Sequence, residues 1–141
     1  MDGLLLTVHI FSAAVWIGGG LYASVSYPKH AANGTLRGVM AVDQKLGAIV
    51  FGSAIALLLL SGVGLVLMSD TFGFGHAFVL IGIGVIVLSS ILEGTVFGPA
   101  TKKMLEDEGA TQLPRVVRWA LPTYIVLFGF TIWAMVTKLG V

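Results

Sequence analysis

Four uninterrupted apolar runs, Leu4–Tyr27, Leu46–Met68, His76–Phe97 and Pro122–Thr137, constrain this chain more than any other feature. Each is near the ~20 residues that a helix needs to cross a bilayer core. In lipid, a helix alone satisfies every backbone N–H and C=O within one segment. The expected fold is therefore an all-α integral membrane four-helix bundle, a single domain over residues 1–141. Its spans fall at about 4–27, 46–68, 76–97 and 119–138, joined by basic loops at 28–45 and 98–118. Only 11% of the residues are charged and the mean hydropathy is +0.98, against ~25% charged in soluble domains. The opening MDGLLL has an acid where a secretory signal carries basic residues, so the first run is expected to be retained as a span.

The placement of charge sets the orientation. Lys29, Arg37, Lys45, Lys102, Lys103, Arg115 and Arg118 lie in the first and third connections, and Lys138 alone lies on the other side. Basic loops stay in the cytoplasm, which predicts a plasma-membrane protein with both termini on the non-cytoplasmic side. The 8 basic residues nearly balance the 7 acidic ones, so no electrostatic footprint for nucleic acid is present. With no cysteine, thiolate-held iron–sulfur clusters, thioether-linked haem, disulfides and cysteine nucleophiles are excluded.

Within the first span one helical arc carries His9, Ala13, Trp16, Gly20, Ala23 and Tyr27. Small residues let a helix or a flat ligand approach closely, and an ionisable group inside a span marks a candidate site. Glycines recur at helix-contact spacing in Gly18-Gly19-Gly20, Gly47/Gly52, Gly62/Gly64, Gly82/Gly84 and Gly94/Gly98, which predicts tight helix packing and association with further copies or subunits. His9-x-Phe11 and His76-x-Phe78 open the first and third spans, a faint repeat that would relate two helix pairs. The two spans run in the same direction, so His9 and His76 belong at one face of the membrane. Two imidazoles facing each other from separate helices suit the axial positions of one haem iron. The bland alternatives are that His76 caps its helix and that His9 hydrogen-bonds a neighbour.

Other polar residues are weaker signals. His30, beside Lys29, reads as a headgroup or solvent contact. Glu93 is deep enough to be expected inward and paired with Lys29, Arg37 or Lys45, with proton relay as the lesser reading. Met1, Asp2, His9, Met68, Asp70, His76 and Met135 could together suit copper, but no M-x-x-M or H-x-H spacing supports it. No catalytic constellation is visible. Thr111 is a candidate N-cap before Pro114, and Pro28, Pro99 and Pro122 are expected to end or kink spans.

His9, Trp16, Gly18-Gly19 and Tyr22, with Leu60–Gly62 and the Gly-Pro-Ala-Thr-Lys-Lys segment from Gly98, carry a resemblance. The pattern resembles a superfamily of small four-span membrane proteins. It includes the copper-resistance D-like proteins, the bacterial membrane protoporphyrinogen oxidase, and an uncharacterised four-span family that is nearest overall. The oxidase spacing is matched by His9, Trp16, Gly19, Tyr22 and His30, and the resemblance implies b-type haem on His9. That family has a lysine where this chain has His76, and Ala23, Ser24 and Ser26 replace its basic and aromatic residues, so the chain departs from the oxidase chemistry. The resulting expectation is a haem b electron-transfer protein, a small cytochrome working with quinone or an accessory subunit of a redox complex. Its metal ligands would be His9 and His76, with Trp16, Gly19 and Gly20 shaping the pocket. Copper or metal-ion handling, a cofactor-free structural subunit and a protoporphyrinogen-oxidase-like enzyme are the alternatives.

Overall fold

The computed structural model describes residues 3–107, 109 and 112–137. Met1 and Asp2 of the copper reading, the N-cap candidate Thr111 and the isolated Lys138 lie outside the described residues. The chain forms α1 (Gly3–Ala32), α2 (Leu36–Leu67), α3 (Ala77–Leu92), a π-helical turn (Glu93–Phe97), α4 (Gly98–Glu106) and α5 (Arg115–Val136). No strand occurs among the described residues. Four helices are long and apolar enough to span a membrane: α1, α2, the continuous run Ala77–Glu106, and α5. The chain is thus an all-α, multi-pass membrane-type bundle.

Helix extends well beyond the apolar runs. The 28–45 connection, expected as a loop, shrinks to a tight reversal. Thr35 N–H bonds His30 O at 2.9 Å and Gly34 N–H bonds Ala31 O at 3.3 Å, with Gly34 at φ 70°. This double closure through a left-handed glycine terminates α1 and launches α2 at once. The added turns of α2 persist because Leu36 and Met40, four apart, are each 1% exposed in the core. Pro28 lies inside α1 and does not end it; near a terminus it forfeits one hydrogen bond only.

Pro99 likewise fails to stop the third span, and the local geometry explains it. Gly98 N–H bonds Glu93 O, five residues back, so one extra residue is wound into the turn. Pro99 then falls in the first turn of α4, where its missing N–H is not needed. The redirected α4 packs on α2, buries Met104, and is closed by Arg37 Nη2 donating to Leu105 O at 2.8 Å. The fourth helix begins at Arg115, ahead of the expected start, and takes Pro122 into its interior.

Val117, Leu121, Tyr124, Phe128, Thr131 and Ala134 form the buried stripe of α5, at three- and four-residue spacing. Close backbone packing joins α1 to α2 and α5, and α3 to α5. Along the α1–α2 seam, a Cβ at Gly64 would meet Leu5 and one at Gly62 would meet His9, while the Phe51 ring fills the notch at Gly19. The two helices are antiparallel and in this register throughout. The expected repeat is not continued locally, since His9 lies inside α1 whereas His76 is the N-cap of α3.

Candidate functional site

The α2 stripe Ala54, Leu58, Ser61 and Leu65 is buried, and His9 of α1 lies against it. His9 Nδ1 is 3.1 Å from Leu58 O and 3.1 Å from Ser61 Oγ. The Ser61 hydroxyl sends its own hydrogen back to Leu57 O at 2.5 Å, so its oxygen acts as acceptor toward the ring. Two acceptors facing Nδ1 place the imidazole proton there and leave Nε2 with its lone pair. A Cβ at position 62 would stand 3.0 Å from His9 Cε1, so Gly62 makes room for the ring. A backbone carbonyl or hydroxyl on the far nitrogen is how proteins orient a ligating histidine.

His76 is held differently. Its Nδ1 lies 2.8 Å from Gly73 N, whose N–H points at it, and 3.1 Å from Gly73 O, so both of its contacts are made within its own turn. The ring is tilted against Phe78 at 6.2 Å between centroids, and Phe78 meets Phe72 edge-on at 5.4 Å. His76 therefore closes the α2–α3 turn. His9 and His76 share no hydrogen bond or ring contact, although both lie toward one end of the bundle.

The expected pocket residues are packed against aromatic rings. Trp16 meets Phe128 edge-on at 4.8 Å. The notch at Gly19 is filled by Phe51, and a Cβ at Gly20 would stand 2.6 Å from the Phe128 ring. A haem is thus matched by the donor chemistry at His9, while the space above Gly19 and Gly20 belongs to Phe51 and Phe128. Among the described residues no group of three or more His, Cys, Asp or Glu is arranged to hold a metal ion. Met135 of the copper reading packs its methyl on Gly82.

The two remaining polar candidates are reassigned. His30 Nδ1 pairs with Thr35 Oγ1 at 2.7 Å, stapling the α1–α2 turn. Glu93 opens the π-helical turn and is exposed. Its expected ion pair with Lys29, Arg37 or Lys45 is not formed: the Lys102–Glu106 pair is the one ion pair among the described residues, and Arg37 is engaged by Leu105 O. Glu93 follows Val85 and Ser89 at four-residue spacing, and the π turn begins with it, so the extra residue shifts only the helix that comes after it.

Leu58, Ser61, Phe51 and Phe128 were not singled out as site residues by sequence reasoning. Ser61 did carry a signal, as the polar residue in the Leu60–Gly62 segment on the buried face of α2. Comparison with protein-family models, curated proteins and solved structures finds no match to the chain.

Proposed function

We propose that the protein binds one b-type haem through His9 Nε2 and serves in electron transfer, with quinone or as an accessory subunit of a larger redox complex. It would act in the plasma membrane with both termini on the non-cytoplasmic side. The observation that supports this reading is the pair of acceptors on His9 Nδ1: Leu58 O and Ser61 Oγ, each 3.1 Å away, favour the proton there and leave Nε2 with its lone pair. Bound haem supplies one-electron oxidation and reduction. The chain's own part is to hold the ring and keep Nε2 basic through the hydrogen bonds on Nδ1. The reading rests on His9, because its ring is held between two spans, whereas His76 stands at the N-cap of α3 and is tied to Gly73 of its own turn.

A second reading, a cofactor-free structural subunit, is favoured by Phe51 and Phe128 filling the glycine notches. Optical spectra of the purified protein, oxidised and reduced, separate the two. The expected result is a Soret band that is lost in His9→Ala and kept in His76→Ala. A colourless protein, after expression with haem supplied, overturns the haem reading and leaves the structural one. Loss of the band in both variants restores the paired-histidine site.

A further inference from the structure

At the end of the bundle that carries the α1–α2 turn, a groove of about 570 Å³ separates the last turns of α1 from the start of α5. Pro28, Ala31 and Ala32 form one wall and Gln112, Leu113 and Arg118 the other. It shares Gln112, Leu113 and Arg118 with a second depression of about 440 Å³ that reaches Arg115 and Trp119. Spaces of this size match those of small-molecule sites.

The charge of this groove has one sign. Arg115 and Arg118 are three residues apart on α5 and so project from the same side of the helix. Neither guanidinium has a carboxylate or hydrogen-bond partner among the described residues, where Lys102–Glu106 is the one ion pair. Nothing acidic lies in the first turn of α5 and no side chain caps it, so the positive end of the helix adds to the two arginines. Apart from Gln112, the rest of the wall is apolar. Trp119, 70% exposed, stands where aromatic residues anchor spans at the lipid interface.

We propose that this groove is a binding site for an anionic membrane lipid. Arg115 and Arg118 take the phosphodiester, and Ala31, Ala32, Leu113 and Trp119 line the path of the glycerol and first acyl carbons. A soluble phosphate would use the guanidiniums and leave the apolar wall and the exposed indole without a role. Lipid uses both. The proposal is independent of the haem reading, since the groove and His9 lie toward opposite ends of α1.

The test uses the full chain in nanodiscs of phosphatidylcholine with a minor fraction of phosphatidylglycerol, and counts by native mass spectrometry the lipids that stay bound. Wild type is expected to retain phosphatidylglycerol preferentially. The double variant Arg115→Gln/Arg118→Gln should lose most of that preference, at about fivefold per arginine. The control Lys102→Gln/Lys103→Gln, which removes equal charge from the same end of the bundle, should keep it. Equal loss in both double variants would reduce the effect to non-specific surface charge and overturn the site. Displacement of the lipid by inorganic phosphate would overturn the lipid assignment in favour of a soluble anion. Helix content by circular dichroism, unchanged in the variants, excludes misfolding as the cause of a loss.

Discussion

At Gly19 and Gly20 two neighbouring glycines do the same thing for different partners, and the partners decide what each glycine is worth. Phe51, beside Gly19, is partly exposed and has lipid to swing into. Phe128, beside Gly20, is 2% exposed and held by Trp16 and Tyr124. Gly20→Ala is therefore expected to destabilise the bundle by about 1–3 kcal/mol, as overpacking in a tight core does. Gly19→Ala should cost clearly less. Thermal denaturation in detergent checks the order, and equal costs would mean that Phe128 is free to move. That these glycines admit something close was legible from their place in an apolar helix; that the something is two phenyl rings was not, because periodicity names a face and not the neighbour. His9 stood out as an ionisable group inside a span. Its pairing with Ser61 was not legible even though Ser61 itself stood out as a polar residue, because serine within a helix commonly bonds its own preceding turn, as Ser61 also does with Leu57.

The elements show where proline rules hold and where geometry absorbs them. Proline was expected to end the first and third spans; Pro28 sits where one lost bond is tolerable, and Pro99 is carried by a widened turn. Boundaries were misread for a common reason: short amphipathic extensions such as Leu36–Met40 and α4 have too few apolar residues to register as spans, yet bury them fully. The π turn is a single-residue insertion in an otherwise regular helix. Deleting Gly94, which has nothing near its missing side chain, should convert the turn to α-helix and preserve the facing of α3 and α4. Deleting Gly84, equally free of neighbours, should rotate everything after it by about 100° and pull Ser89, Phe97 and Met104 off the core. Melting temperature in detergent is expected to fall far more for the second deletion. A similar fall for both would show that the π geometry itself is required.

For the molecule as a whole, the four-span architecture was legible because the apolar runs are long and the chain has almost no other material. The proposed membrane sidedness rests on the basic residues that gather at the end with the α1–α2 turn. The absence of native cysteine makes this directly measurable. Asn33→Cys, in that turn, should react with a membrane-impermeant maleimide only after cells are opened, whereas Thr71→Cys, in the α2–α3 turn, should react in intact cells. The reverse pattern would invert the topology. The reversal at Gly34 also bears on how the chain is made. With so short a link, α1 and α2 can leave the translocon together as one helical hairpin, and that hairpin already contains His9, Leu58, Ser61 and Gly62. The imidazole is thus oriented by partners encoded within the first half of the chain, none of them in the third or fourth span. A released fragment ending at Leu67 would carry every partner of the histidine cradle, so assembly of that cradle draws on nothing from the remainder of the bundle.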